Sequence, residues 1–278
     1  MTLDLFLTGL LQGLILTIIA YAIMVPFRLL NFADLTSEGA YPLGGAVAAS
    51  LISGGFSPFI AIIGAVLSSA IMGIGTGLVY LRFKVNSLLA GIILSTMVYS
   101  INLRIMGKPN IALFDNLSLL SSGNITVNIF LLILAILLFI IPLVLFLYTD
   151  FGLRLRAVGL NPDFATTQNI LPSRYILLGL FFAGSLSGFA GSLMVQLQNY
   201  MDIGMGVGIV IHGLASLMIG ESLIGTKTLN RQLFAPLVGA LIYQQIQGLA
   251  LSFGLEPSDL KFFTGFVVLV VIAIQKKS

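Results

Sequence analysis

The sequence predicts an all-α, polytopic transmembrane helical bundle, and both its composition and its apolar runs lead to this prediction. Of the 278 residues, 58% are hydrophobic and only 8% are charged, and the mean hydropathy is +1.09. A soluble domain carries about 25% charged residues, so most of this exterior must face lipid. Only helices and closed barrels satisfy their backbone polar groups within lipid. The apolar runs are continuous rather than alternating, which favours helices over barrel strands.

The apolar runs predict about 8–9 membrane segments, of which two are short. A helix needs about 20 apolar residues to cross a hydrocarbon core of about 30 Å. The runs 41–53 and 207–219 fall below that length, as half-helices or re-entrant segments do when protein or water surrounds them. The full set covers residues 5–25, 41–53, 57–80, 88–106, 127–148, 175–197, 207–219, 233–252 and 261–274.

The two short runs have similar surroundings. Each follows a full-length run and a polar stretch containing an acid, residues 31–39 before the first and 198–202 before the second. They lie in opposite halves of the chain. When every apolar run is counted as one membrane crossing, the two short runs cross in opposite directions. This pattern is consistent with an inverted repeat built on broken helices, which in transporters marks the pathway. Two independently short helices are the alternative.

Positively charged residues predict the orientation of the bundle, because Lys and Arg collect on the cytoplasmic side. With both short runs counted as crossings, one side carries Arg28, Arg82, Lys84, Arg154, Arg156, Arg174, Lys227, Arg231, Lys276 and Lys277, and the other carries Arg104, Lys108 and Lys261. We therefore expect a multi-pass protein of a bacterial inner membrane with its amino terminus outside and its carboxyl terminus in the cytoplasm. The longest cytoplasmic connection is then 149–174, within a single transmembrane domain spanning 1–278.

The connection 149–174 contains the signals of a short helix. Asn161 is a good N-cap, Pro162 suits the first helical position, and Asp163 favours the positive end of the helix dipole. Asn169 can adopt the left-handed conformation that ends a helix. A helix of about two turns is marginal in water and must pack against the bundle or a partner. An ordinary connection lying on the membrane surface is the alternative.

Three segments in order carry a family resemblance. The connection contains Arg156-Ala157-x-Gly159-x-Asn161-Pro162, followed by Ala165 and Ile170. The small-residue run 182–191 follows it, and an amino-terminal pattern precedes it in Leu30-Asn31-Phe32-Ala33 and Glu38-Gly39-Ala40-Tyr41-x-x-Gly44. Together they resemble ABC transporter permeases of the branched-chain amino-acid and simple-sugar importer family, with 149–174 as the coupling segment. Asn169 departs from the glycine usual in that family.

The resemblance implies a permease that forms the translocation path of an ABC importer. Its expected partners are a separate cytoplasmic ABC ATPase, an extracytoplasmic substrate-binding protein, a second permease subunit (identical or related) and the lipid bilayer. It favours a small polar solute, an amino acid above others and aromatic amino acids for compact members. It implies ATPase-coupling roles for Arg156, Ala157, Gly159, Asn161, Pro162, Asp163, Phe164, Ala165 and Gln168.

The sequence predicts no cofactor, metal or enzyme site in this chain. Gly220 and Gly225 have the spacing of a phosphate-binding loop, but Thr226 stands where the lysine belongs and Lys227 comes one place late. We therefore expect ATP and Mg²⁺ to bind the partner ATPase. With one histidine and no cysteine, the chain offers few metal ligands, and it has no basic patch interleaved with aromatics that would indicate nucleic acid.

Polar residues beside the short runs are candidates for a hydrated path. A charge at the centre of a bilayer costs about 2.5–3.5 kcal/mol on insertion scales, so such residues tend to be functional. The candidates are Asn31, Asp34, Glu38, Asp202, His212 and Glu221. The alternative is that acids such as Asp34 are interfacial helix caps and that His212 is hydrogen-bonded between packed helices.

Two other functions are compatible with a helical membrane protein. An ion-coupled secondary transporter would need intramembrane acids that bind the ion. An intramembrane enzyme acting on lipid would need a clustered acid–base or metal set, which the sequence does not contain. Gly184, Gly188 and Gly191 on one predicted helix indicate close approach between helix backbones.

Overall fold

The structure is a computed structural model, and it describes residues 3–114, 116, 118–120, 124–254, 256 and 259–275. Within these residues the chain forms eleven α-helices and one two-stranded sheet. The helices are α1 Leu3–Met24, α2 Ser37–Ser53, α3 Pro58–Phe83, α4 Ser87–Met106, α5 Ile125–Tyr148, α6 Asp150–Leu160, α7 Pro162–Thr167, α8 Pro172–Gln198, α9 Ile209–Ile224, α10 Leu229–Ser252 and α11 Leu260–Gln275. A π-helical turn Val25–Leu29 extends α1, and a 3₁₀ turn Ile203–Gly206 precedes α9.

Each predicted apolar run lies on a helix, so the all-α polytopic bundle is confirmed. Among the described residues, seven segments are long and apolar enough to cross a membrane, and α2 and α11 are shorter. The second short run was predicted too short, because α9 continues to Ile224 and the 3₁₀ turn lengthens the segment to Ile203–Ile224. The extension is stabilised by close packing, since a Cβ on Gly220 would overlap the carbonyl of Ala235. Lys276, Lys277 and the side chain of Lys261 lie outside the described residues.

The long connection before α5 is not entirely irregular. Its strand β1 Asn110–Ala112 pairs antiparallel with β2 Tyr200–Asp202, with Ile111 opposite Met201. The sequence analysis predicted helices alone and missed this pair, because it joins residues about ninety positions apart. It ties the connection to the segment that follows α8.

The helices α1–α4 and α8–α11 have the arrangement of an inverted repeat. The helices α1 and α8 pack antiparallel, because Leu30 after α1 contacts Gly179 near the start of α8, while Leu16 and Met194 line one cavity nearer the other end. The packing partners are exchanged symmetrically: α1 packs on α10 as α8 packs on α3, and α9 packs on α10 as α2 packs on α3.

The two halves also break their first long helix in the same way. Asn31 and Asn199 adopt left-handed backbone conformations, with φ of 50° and 57°. Three residues later, Asp34 Oδ1 accepts from the N–H of Thr36 at 2.8 Å, and Asp202 Oδ1 accepts from the N–H of Gly204 at 2.7 Å. The matching spacing supports a repeat rather than two unrelated short helices.

The helix α8 is packed closely along its small-residue face, as the sequence predicted. A Cβ added to Gly184 would overlap the carbonyl oxygen of Ser69, and one added to Gly191 would overlap that of Tyr41. Small residues thus allow the backbones of α3 and α2 to approach α8 where lipid offers no hydrophobic drive between helices. This places α2 in the interior of the bundle.

Candidate functional site

The connection 149–174 forms two helices rather than one. The sequence analysis predicted the second, α7, and missed the first, α6, because tertiary packing stabilises it. Leu155 and Val158 on α6 are buried. A Cβ on Gly159 would overlap the carbonyl of Leu29, so α6 lies directly against the end of α1. The segment is therefore packed onto the bundle and is not a free surface loop.

The helix α7 begins and ends where the sequence predicts. Asn161 Oδ1 accepts from the N–H of Phe164 at 3.0 Å, and Pro162 occupies the first turn. Asn169 has φ of 59°, and the N–H of Ile170 donates to the carbonyl of Ala165 at 3.0 Å. This closing bond is that of a Schellman motif. Both ends of α7 are thus fixed by the local sequence.

The nine predicted coupling residues divide into two groups. One group anchors the segment: Ala165 is buried, Gly159 is packed on α1, and Arg156 donates to the carbonyls of Gly152 and Leu147 at 3.3 Å each. Ala157 is partly buried beside them. The other group is exposed and comprises Asn161, Pro162, Asp163, Phe164 and Gln168.

An exposed apolar pair marks the outer side of this segment. Leu160 is 87% exposed and Phe164 is 59% exposed. We call Leu160, Phe164 and the neighbouring exposed Asp163 and Gln168 the coupling surface. Sequence reasoning missed Leu160. Its position was a usable signal, because an apolar residue directly before the N-cap Asn161 can be left exposed at a helix end.

The six candidate path residues lie in three separate regions. Near α6, Asn31 lines a cleft, and buried Glu221 is bound by the Arg28 guanidinium, with Nε donating to Oε1 at 2.6 Å. Towards the opposite end, Asp202 and His212 line a cavity of about 510 Å³. Glu38 and Asp34 lie between these two regions at the start of α2.

Asp34 forms an Asx turn before α2 rather than a helix cap, because the N-cap residue of α2 is Thr36, whose side chain makes no capping hydrogen bond. Its Oδ1 accepts from both the N–H and the hydroxyl of Thr36, next to the start of α2. The Thr36 hydroxyl also lies 2.9 Å from that of Thr76 on α3. Within the described residues, Asp34 Oδ2 is buried without a hydrogen-bond partner.

The starts of the two short helices meet inside the bundle. Ser37 at the start of α2 accepts from Ser187, which lies midway along α8, at 2.9 Å. Glu38 Oε1 accepts from the N–H of Gly208, directly before α9, at 3.3 Å. The helix α2 then runs towards the sheet, where Ser50 contacts the last turn of α4, and α9 runs towards α6. Broken helices that start at mid-depth are the feature that marks pathways in transporters.

A groove beside Glu38 contains polar residues that sequence reasoning missed. It has a volume of about 380 Å³ and is lined by Glu38, Ser95, Thr96, Tyr99, Ser100 and Asn102, together with Ile203, Gly206 and Val207 from the segment before α9. Ser95, Thr96, Tyr99 and Ser100 are spaced so that they share one face of a helix, which was the available signal. Although α4 is apolar enough to be a span, only 22% of its most apolar stretch is buried. Its polar face is therefore suited to water or another subunit rather than lipid.

The cavity around Asp202 and His212 adjoins a smaller polar cavity. Tyr41, Gln198 and His212 line both, and the smaller cavity has a volume of about 150 Å³. Gln244 Nε2 donates to Gln12 Oε1 at 2.7 Å on its wall. Within the described residues, no group of three or more metal-binding side chains comes together.

A multi-pass helical bundle with an internal inverted repeat, broken helices and a capped segment packed on one end defines a membrane transport protein. The chain belongs to the family described as the branched-chain amino acid transport system permease component, which it matches over residues 5–273. It is thus a permease subunit of the ABC transporter class and not a catalytic enzyme.

Individual relatives differ in what they are described to carry. A tyrosine transport system permease protein of Clostridioides difficile is 36% identical over 262 residues, covering 94% of this chain and 88% of that protein. A nucleoside ABC transporter permease of Lactococcus lactis is 30% identical over 153 residues, covering 54% of this chain and 40% of that protein. A solved ABC transporter assigned to the metal-chelate type, in an inward-facing conformation, shares the fold with a TM-score of 0.52 at 18% identity, covering 97% of this chain and 83% of that one.

Proposed function

We propose that this chain is one half of a dimeric importer for an amino acid, with an aromatic amino acid favoured. It acts as a single permease unit in a bacterial inner membrane, with the α6–α7 end in the cytoplasm and the amino terminus outside. The relative described as a tyrosine permease supports the solute, because it matches this chain along nearly its whole length. The nucleoside permease matches only about half of the chain.

The coupling surface is the observation that carries the proposal. Leu160 at the end of α6 and Phe164 on the capped helix α7 are both exposed. Exposure of two neighbouring large apolar side chains to water is unfavourable, so this surface is suited to a protein partner. We infer that a separate cytoplasmic ATPase, which binds ATP and Mg²⁺, covers this pair. The helix α7 is capped at both ends, and α6 packs directly against Leu29. We therefore infer that a displacement of the coupling surface by the ATPase also displaces the end of α1.

The groove beside α4 is the best-supported path. The helix α4 contributes hydroxyl groups and the aromatic ring of Tyr99, and α2 contributes the carboxylate of Glu38. The starts of both broken helices border the groove. We infer that a second permease subunit faces this groove and that a binding protein delivers the solute at the sheet end. Glu38 is the predicted path residue that lies in it. Asp34, Asp202, His212, Asn31 and Glu221 lie outside its lining and stay predictions as path residues.

Co-purification from native membranes tests the ATPase. We expect an ABC ATPase to accompany the intact chain and to be lost when residues 160–169 are replaced by a Gly/Ser linker. The control is Phe253→Ala, which removes an apolar side chain that is 86% exposed at the opposite end of the bundle. Absence of an ATPase from a well-folded intact chain would overturn the proposal.

Membership of the ABC permease family argues against the ion-coupled secondary transporter that the sequence alone left open. Transport by right-side-out vesicles distinguishes the two. An uncoupler added at constant ATP should leave uptake intact in an ATP-driven importer. The uncoupler should abolish uptake in an ion-coupled transporter. In such a transporter, Asp34→Asn should also change the ion dependence of uptake.

A further inference from the structure

A cleft at the α6–α7 end combines three cationic side chains. It lies between the end of α1, the helix α6 and the start of α10, with a volume of about 570 Å³. Arg28 lines it from the π-helical turn after α1, Arg156 from α6, and Lys227 from the connection that leads into α10. We call it the basic cleft.

The positive charge of the basic cleft is only partly compensated. Glu221 is bound to Arg28, and its side chain is 3% exposed, so its charge is committed to that pair. Among the described residues, neither Arg156 nor Lys227 takes part in a salt bridge, and Arg156 donates only to backbone carbonyls. Three cations less one carboxylate leave a net charge of two positive units facing the cleft.

The cleft can recognise a phosphate group. The Arg156 guanidinium keeps N–H groups beyond the two that bind carbonyls, and a guanidinium matches phosphate oxygens in geometry and charge. Lys227 adds an exposed ammonium, which binds phosphate as a point charge. Thr228 and Gln232 provide polar groups on the same wall.

The rim of the cleft is apolar, which distinguishes a lipid from a free anion. Leu153 lines it and is 59% exposed, and Phe27 and Leu229 extend the apolar lining, whereas Leu160, which also lines the cleft, belongs to the coupling surface. An inorganic phosphate would use none of this surface, whereas the acyl chains of a lipid would cover it. Basic pockets between transmembrane helices are known sites for anionic lipid headgroups.

We propose that the basic cleft binds the phosphate headgroup of an anionic phospholipid. The headgroup phosphate contacts the cationic side chains at the end of α1, on α6 and before α10, and so reduces the repulsion among them. The acyl chains lie on the apolar rim. The inference goes beyond the proposed function, because the lipid binds the permease chain itself and needs neither ATP nor solute.

Lipid retention tests the inference on the purified full chain. The protein is reconstituted in nanodiscs of phosphatidylcholine with or without phosphatidylglycerol, and bound lipid is counted by native mass spectrometry after release into detergent. We expect retained phosphatidylglycerol, and about fivefold weaker retention in Lys227→Gln, because one lysine near an anionic headgroup contributes about that factor. Lys227→Arg should keep retention near that of the unaltered chain. The matched control is Arg231→Gln, which removes one charge from an exposed position of α10 outside the cleft.

Three results would overturn the inference. Equal loss in Lys227→Gln and Arg231→Gln would mean that overall charge, not the cleft, holds the lipid. Displacement of all retained lipid by millimolar inorganic phosphate, with equal thermal stabilisation by phosphate alone, would identify a free anion as the ligand. Unchanged lipid retention in Lys227→Gln with loss of the co-purified ATPase would assign the cleft to that protein.

Discussion

Arg28 and Glu221 form an ion pair that joins the two halves of the repeat near α6. Arg28 lies in the π-helical turn after α1, and Glu221 lies in the last turn of α9, 193 positions away in sequence. The Glu221 side chain is 3% exposed and that of Arg28 is 47% exposed. The pair therefore fixes the end of α9 to the same element that α6 contacts through Leu29.

The two partners of this pair should not be equivalent to mutation. Arg28→Gln leaves a buried carboxylate without its cation, and we expect a loss of about 3 kcal/mol in stability. Glu221→Gln leaves only the half-exposed cation, which water can solvate, and should cost less. Thermal unfolding in detergent measures both, with the exposed Arg82→Gln as control. Equal losses in the two variants would contradict the asymmetry of burial.

Close packing of α8 on α3 gives a second prediction. A methyl group at Gly184 would overlap the carbonyl oxygen of Ser69, so Gly184→Ala should destabilise the bundle by about 1–3 kcal/mol. At Gly265 on α11 an added Cβ meets nothing within 4 Å. Gly265→Ala should therefore be neutral or slightly stabilising, because alanine is the better helix former. The yield of monodisperse protein and its thermal midpoint distinguish the pair. A stable Gly184→Ala variant would show that the two helices can separate at no cost.

The caps of α7 can be tested separately. Asn161→Ala removes the acceptor of the Phe164 N–H and should cost about 1 kcal/mol of local stability. Asn169→Gly should preserve α7, because glycine adopts the left-handed conformation without penalty. Hydrogen exchange of the 163–168 amides measures the change. Unchanged exchange in Asn161→Ala would mean that packing of Ala165, not the cap, holds the helix. Faster exchange in Asn169→Gly would mean that the Asn169 side chain contributes more than its left-handed conformation.

The difference between what the sequence predicted and what it missed follows from the range of the interactions. Apolar runs and the caps at Asn161 and Asn169 depend on neighbours within a few residues, so the spans and both ends of α7 could be predicted. The Arg28–Glu221 pair, the β1–β2 pair and the contact of Gly159 with Leu29 join distant residues. They determine α6, the length of α9 and the division of the candidate path residues among three regions.

The orientation of the bundle can be tested on a chain without native cysteine. Phe114 and Leu160 are 73% and 87% exposed, at the sheet end and the α6–α7 end, respectively. We expect Phe114→Cys to react with an impermeant maleimide in intact cells and Leu160→Cys to react only after the membrane is opened. The reverse pattern would place the coupling surface outside and rule out an ATPase partner there.

Obstruction of the groove beside α4 tests where the solute passes. Ser100 lines the groove opposite Glu38, and Ser100→Phe would fill part of its volume of about 380 Å³. Met97 lies on the same helix, is 59% exposed and does not line the groove, so Met97→Phe adds bulk of the same kind outside the groove. We expect Ser100→Phe to lower solute uptake at least tenfold. Its association with the ATPase should persist, because the helices that carry the coupling surface are unchanged. We expect Met97→Phe to retain uptake.

If both variants lose uptake equally, the face of α4 is a packing surface for the second subunit. If neither does, the solute passes instead through the cavities around His212, and Gln198→Leu and Gln244→Leu become the substitutions that should block it.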